Sequence, residues 1–239
     1  LLESHPVEFL RRSCPDVDPS QYGSIKRSST THALIRILQP IYKALDNSAN
    51  FARLLFIDFS KAFDHIDNNI LLEKLAANGA PHAIVRWYHG FLYKRQQRVK
   101  LGRHTSDWKS VNGGVPQGTL SGPELFIHMV SDLRTHLPDV KYMDDTTVIE
   151  IDKKSNRSTM GNAMTQVEAW SDKNNLGVNG SKTKDMLISF GKTPELDPLV
   201  FRGNSIERVN TTTLLGVIIS DDLKWIANTD YLNIKAGRR

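Results

Sequence analysis

Val140-Lys141-Tyr142-Met143-Asp144-Asp145-Thr146-Thr147-Val148-Ile149-Glu150-Ile151 sets two runs rich in β-branched and aromatic residues on either side of two turn-forming residues. That is the pattern of a tight β-hairpin, with Asp144 and Asp145 at its tip. Adjacent carboxylates repel one another, and a divalent cation relieves the repulsion; Mg2+ favours one or two carboxylates together with phosphate oxygens. The tip is therefore a candidate metal site. Asp is also a common turn residue, and a solvated turn reads the same way, so further ligands must come from elsewhere.

Upstream, Arg53 to Phe59 contains the apolar run Leu-Leu-Phe-Ile with Asp58 near its end. A strand this apolar is buried on both faces, and an acid at its carboxyl end is costly unless paired, protonated or bound to a metal. Asp58 is the expected third ligand. Beyond it, Asp67 and Asn68 cap a helix carrying Ile70, Leu71, Leu72 and Leu75 that stops at Gly79, and Pro81 opens another through Leu92. Gln97–Leu101 and Trp108–Asn112 read as a strand pair whose aromatics are expected in a core rather than as stacking platforms. Gly113 to Pro123 holds four glycines and two prolines in eleven residues, which suits a loop that lets backbone approach a flat ligand. A helix over about 124–137 then leads into the hairpin.

The 239 residues are 39% hydrophobic and 24% charged, an ordinary globular balance, and the net charge of +5 suits a polyanionic partner without demanding one. Cys14 is the only cysteine, which excludes an internal disulfide and a cysteine-based zinc site and points to a reducing compartment. There is no run of a membrane span's length and no signal peptide, so the reading is intracellular, in nucleus or cytoplasm, not secreted, with no membrane partner. Asp172–Thr183 imitates a calcium loop but has Leu176 and Thr183 where oxygen ligands belong. The histidines show no zinc-pair spacing.

At the start, Leu1–Arg12 reads as a short amphipathic helix ended by Pro15 and the turn-rich Asp16-Val17-Asp18-Pro19. Ser28 to Thr31 can cap a helix over about 31–46, and Lys26 and Arg27 before it are either a solvated loop or phosphate contacts. Met160, Ala163, Met164, Val167 and Trp170 recur at helical spacing as a core face. Toward the end, Phe201–Ile206 reads as a hairpin turning at Gly203-Asn204, Leu214–Ser220 as one strand and Asp230–Arg239 as a basic tail.

Three ordered motifs carry a resemblance. Phe56-Ile57-Asp58-Phe59-Ser60-Lys61-Ala62-Phe63-Asp64, Gly114-Val115-Pro116-Gln117-Gly118 and Tyr142-Met143-Asp144-Asp145 are similar to the palm motifs of reverse transcriptases, especially those of non-LTR retrotransposons. Gln21-Tyr22-Gly23 with Ser29-Thr30 resembles the preceding fingers motif; Leu176–Thr183 and Leu214-Leu215-Gly216-Val217, with Trp225 beyond, resemble two later ones. The resemblance covers roughly residues 18–226. It implies an α+β fold: a ferredoxin-like split β-α-β-β-α-β palm with inserted helices, partial fingers and a truncated thumb. The strands and helices expected at 53–59, 124–137, 140–143, 146–151, 158–174 and 184–190 follow that order once 68–112 is set aside. The expected divisions are a partial fingers segment at 1–52, the palm at 53–190, and a primer-grip hairpin region with the start of a thumb at 191–239.

The implied function is RNA-directed DNA polymerase, a nucleotidyltransferase joining deoxynucleoside triphosphates to a primer 3′-hydroxyl by two-metal chemistry. By resemblance Asp58, Asp144 and Asp145 hold two Mg2+, with Mn2+ as the alternative ion, and Lys182 donates a proton to pyrophosphate. Phe63, Gln117, Gly118 and Tyr142 bind substrate, Phe63 as a ring under the deoxyribose. The implied partners are an RNA template, a DNA primer and a dNTP. The alternatives are a decayed or domesticated palm that binds nucleic acid without polymerising, and an unrelated metal-dependent nuclease. The resemblance finds no triphosphate-binding basic segment before Gln21 and no complete thumb, so weak or absent extension by these residues alone is the expectation.

Overall fold

A computed structural model describes residues 3–14, 18–46 and 50–237; Leu1, Leu2, Pro15–Val17 and the last two residues of the expected tail lie outside them. In chain order the elements are α1 (Ser4–Ser13), α2 (Thr30–Leu45), β1 (Asn50–Ile57), α3 (Asn68–Ala77) and α4 (His82–Leu92), then β2 (Arg95–Gln97), β3 (Lys100–Leu101), β4 (His104–Thr105) and β5 (Lys109–Val111). There follow α5 (Ser121–Val130), β6 (Asp139–Tyr142), β7 (Asp145–Lys153), α6 (Met160–Lys173), β8 (Lys184–Ile188), β9 (Val200–Phe201), β10 (Asn204–Ser205), β11 (Glu207–Arg208), β12 (Thr211–Leu214), β13 (Val217–Ser220) and α7 (Ile226–Gly237). The fold is α+β. Among the described residues no helix is long and apolar enough to cross a membrane.

The chain forms two compact units. One comprises Ser20–Phe59, Arg134–Trp170 and Val178–Arg239, and is built on a five-stranded sheet of order β11-β8-β1-β7-β6. β1 runs antiparallel to both β7 and β8, and β6 antiparallel to β7. Strand periodicity sends Ala52 and Leu54 to the face covered by Ala33, Ile37 and Ile41 of α2. Ser29 caps that helix, its Oγ accepting from His32 N–H at 3.3 Å. On the opposite face Arg53, 2% exposed, lies among Asp185, Ser158 and Arg208. Its Nε and Nη2 fork onto the two Asp185 oxygens at 2.8 and 2.9 Å, and Arg208 Nε donates to Oδ2 at 2.8 Å. The sheet's edges are lined as well. Lys141 of β6 exchanges backbone hydrogen bonds with Ser20 and Tyr22, and β11 pairs parallel to β8.

The second unit comprises Leu1–Pro19, Ser60–Leu133 and Ser171–Gly177. Leu10, Leu71, Leu75, Tyr88, Leu92 and Phe126 are its buried core. Asp67 caps α3 as expected, accepting from Asn69 and Ile70 N–H. Glu3 Oε2 accepts from Leu120 and Ser121 N–H at 3.1 and 3.2 Å, serving the exposed donors at the start of α5.

Several elements differ from the sequence reading. α5 ends at Val130 rather than near 137, because Ser131 Oγ bonds back to the His128 carbonyl and Lys74 Nζ takes the Met129 carbonyl at 2.7 Å. The expected strand 214–220 is a hairpin turning at Leu215-Gly216, whose φ values of 49° and 84° suit a primed turn. Residues 226–237 are helical, not a tail. Trp108 is exposed rather than buried in a core.

Candidate functional site

Within the sheet-based unit, the register of β1 against β7 decides where the acids go. Ile57 pairs with Thr146 and Tyr142 with Asp145, so Asp58 leaves the end of β1 next to the tip of the β6–β7 hairpin. The tip differs by one residue from expectation: Met143 and Asp144 are the turn, and Asp145 opens β7. Met143 has φ 58°, a left-handed conformation at the turn position where glycine is at ease and methionine is not.

Two residues hold that turn. Gln21 is buried; its Oε1 accepts from Met143 N–H at 2.9 Å and Gly23 N–H at 2.7 Å, and its Nε2 donates to the Met143 carbonyl at 3.4 Å. Gly23 passes so close that a Cβ there would stand 2.4 Å from Met143 N. Glycine is required by this approach rather than by its own φ. The sequence pointed to Gln21-Tyr22-Gly23 as a motif, yet nothing local in it revealed what the pair grips.

Asp58 is braced from β8's side. Its N–H donates to Thr183 Oγ1 at 3.3 Å and its carbonyl accepts from Asn179 N–H at 2.7 Å. Its Oδ2 is buried without a hydrogen-bond partner, and the Lys182 ammonium lies 4.0 Å from it. Asp145 is pushed up to about 6, by desolvation of its carboxyl first and then by the charges of Asp144 and Asp58. The three carboxylates thus sense one another. Among the described residues no three His, Cys, Asp or Glu side chains form a group that could hold a metal ion as they stand. An unsatisfied buried carboxylate oxygen beside two more acids is the donor set that a hard divalent cation fits.

The other predicted residues belong to the second unit. Gly114 N–H and Val115 N–H donate to the Ile66 and Phe63 carbonyls at 2.8 Å each, zipping the glycine loop onto residues 63–66. A Cβ on Gly114, at φ 72°, would meet the Asp64 carbonyl at 2.6 Å. Gln117 Nε2 donates to Asp64 Oδ1 at 3.0 Å, and Arg95 Nη2 donates to the Gly113 carbonyl at 2.9 Å. Phe63 is half-buried, its ring stacked on buried Phe126 at 4.6 Å and 16°. Gly118, at φ 74°, has open space around it. A cleft of about 940 Å³ lies here, lined by Lys61, Asp64, Arg95, Gln97 and Gln117 among others. Tyr142 packs instead with the sheet unit's core.

A family profile described as reverse transcriptase (RNA-dependent DNA polymerase) matches residues 2–219. The chain is 26% identical, over 95% of its length, to the RNA-directed DNA polymerase from mobile element jockey of Drosophila melanogaster, and covers 26% of that protein. It is 26% identical, over 89% of its length, to the probable RNA-directed DNA polymerase from transposon BS of the same organism, covering 24% of it. The chain therefore spans about a quarter of the curated relatives it matches. Among solved structures, apo telomerase from Candida tropicalis superposes with a TM-score of 0.61 at 16% identity, over 93% of this chain and 44% of that one, a likeness of fold. With a profile that runs through nearly all of its motifs, the chain belongs to the reverse transcriptase family.

Proposed function

We propose that this chain carries the polymerase centre of an RNA-directed DNA polymerase of the non-LTR retrotransposon type, acting on an RNA template, a DNA primer and dNTPs inside the cell. In this reading β1, β6, β7 and β8 with α5 and α6 are the ferredoxin-like split β-α-β-β-α-β palm within 53–190. Residues 1–52 then contribute fingers, and 191–239 the primer-grip hairpin and the start of a thumb.

The observation that carries the proposal is the β1–β7 register, which brings Asp58, 86 residues before Asp144, to the β6–β7 turn. Asp58, Asp144 and Asp145 would hold two Mg2+, or Mn2+, which when bound stabilise the attacking and leaving oxygens of an in-line displacement. The protein's own part is positional and electrostatic. Gln21 fixes the Met143-Asp144 turn, and the Asn179–Thr183 segment fixes the Asp58 backbone. Lys182, exposed and 4.0 Å from Asp58, would donate a proton to departing pyrophosphate. Phe63, stacked on Phe126, would act as the ring under the deoxyribose, and Gln117, hydrogen-bonded to Asp64, would bind substrate with Gly118. Primer extension on an RNA template with Mg2+, by a longer form of the protein that does extend, tests the reading. Extension lost in Asp58→Asn, Asp144→Asn and Asp145→Asn separately supports it; extension that survives any two of them overturns it.

A further inference from the structure

Residues 95–111 form an arm with no counterpart in the reaction just described. β2 pairs with β5 and β3 with β4. Gln97 stands opposite Lys109 and Lys100 opposite Thr105, leaving two residues on the outgoing strand against three on the return. The arm is thus one β-hairpin with a bulge, closed by a turn at Gly102-Arg103, where Gly102 has φ 59°. Residues 96–110 are all exposed. A lone two-stranded hairpin is marginal in water, so a surface kept this bare is suited to a partner.

Charge identifies the partner. Lys94 to Lys109 contains six basic side chains and one acid, Asp107, a net charge of +5, equal to that of the whole chain. Four of the bases, Arg98, Lys100, Arg103 and Lys109, are exposed on the arm itself. At the bulge Trp108 is 57% exposed with the Arg98 guanidinium 4.5 Å over its ring. Cations interleaved with an exposed aromatic and guanidinium stack match a polyanion that also presents flat bases, which in a duplex would be hidden. The root of the arm, Arg95 to Gln97, lines the same cleft as Gln117.

We propose that this arm is a docking surface for single-stranded RNA, with phosphates on Lys100, Arg103 and Lys109 and a base stacked on the Arg98–Trp108 pair. The choice of RNA rests on the polymerase reading, in which the template is the unpaired strand ahead of synthesis. The arm would extend the cleft into a track for that strand.

The test is fluorescence anisotropy of a short labelled single-stranded RNA titrated with the full chain at several salt concentrations. Lys100→Ala/Arg103→Ala/Lys109→Ala should weaken binding about tenfold or more and lower the salt slope by roughly 2, at about 0.7 per single-strand phosphate contact. Trp108→Ala should weaken single-strand binding by about fivefold or more while duplex binding stays the same. Because all four side chains are exposed, thermal midpoints should not move. A DNA strand of the same sequence should lose affinity in parallel, since phosphate and base faces are shared; loss confined to DNA overturns the RNA assignment. Unchanged RNA affinity and slope in the triple variant overturns the inference while Asp58, Asp144 and Asp145 keep the polymerase reading open. Arm-dependent self-association in sedimentation, with RNA binding unaffected, overturns it in favour of a second copy of the chain. Asp144→Asn should bind the RNA as the parent does, so loss of extension and loss of docking are read separately.

Discussion

Gln21 and Met143, 122 residues apart, are joined through both backbone polar groups of the methionine: its N–H reaches Gln21 Oε1 at 2.9 Å and its carbonyl faces Nε2 at 3.4 Å. A left-handed methionine costs on the order of 1–3 kcal/mol and persists only where the surroundings over-determine it. Gln21→Ala should free the turn, displace Asp144 and slow extension by about a hundredfold, the scale of an ångström's misplacement. Met143→Gly in the Gln21→Ala background should restore part of the rate by removing the strain. A Gln21→Ala rate within twofold of the parent would show that the turn holds itself.

Asp144→Asn separates electrostatics from packing. In the chelated, metal-free protein the substitution removes one of the charges that raise Asp145, so the thermal midpoint should stay level or rise. Mg2+ should raise the parent's midpoint and leave the variant's nearly unmoved, because a ligand stabilises only the state that binds it. A variant that responds to Mg2+ as the parent does would remove Asp144 from the ligand set.

Phe63→Val addresses sugar choice. The ring is half-buried and stacked on Phe126, so a shorter side chain should open space for a 2′-hydroxyl and raise ribonucleotide incorporation about tenfold or more relative to deoxynucleotides. Equal losses for both nucleotide types would mean that the ring only packs.

His128 should set an acid limit on stability. Burial lowers its imidazole to about 4, Nε2 has no partner, and Asn78 Nδ2 lies 3.3 Å from Nδ1. The unfolded chain binds the proton near 6.5. Between roughly 6.5 and 4 the unfolded state therefore holds more protons, and stability falls as pH drops through that window. Denaturant midpoints of His128→Gln should depend less on pH there than the parent's; parallel curves would clear His128 of the effect.

Asp185→Asn tests the buried ion network. Removing that charge leaves Arg53, 2% exposed, without its carboxylate, and breaking such a pair costs about 3–5 kcal/mol. Arg53 also donates to Ser158 Oγ at 3.0 Å and to the Asp197 carbonyl at 2.9 Å, and urea melts showing a loss below about 1 kcal/mol would mean that these two suffice for the guanidinium.

Much of the site was legible because its signals are local. Alternation around Asp144 gave the hairpin, the apolar run gave β1, and Met160, Ala163, Met164, Val167 and Trp170 are all buried on α6 as their spacing requires. Where local signals mislead, tertiary contacts have taken over. The helical period continues past Val130 to Leu133, but side chains of Ser131 and Lys74 take up the last carbonyls and the helix stops. Leu215-Gly216 lacks the Asn or Asp that usually announces a primed turn. Trp108 looked like core because aromatics usually are, and only the strand register exposes the bulge beside it. The grip of Gln21 on Met143 depends on a contact that no window of sequence contains.

The lining of the sheet's edges guards against strand pairing between copies of this protein. An open strand is a template for any other chain with free amides. Here the Ser20–Tyr22 segment takes hydrogen bonds on the outer side of β6, and at the far side the short β11 interposes before solvent, with Arg208 turned back onto Asp185. The stretch that carries Gln21 to Met143 is thus also the guard of that flank. A change that lifts it from β6 would uncover a ready pairing strand, and the cost would be read as aggregation on concentration or heating before it was read as lost synthesis.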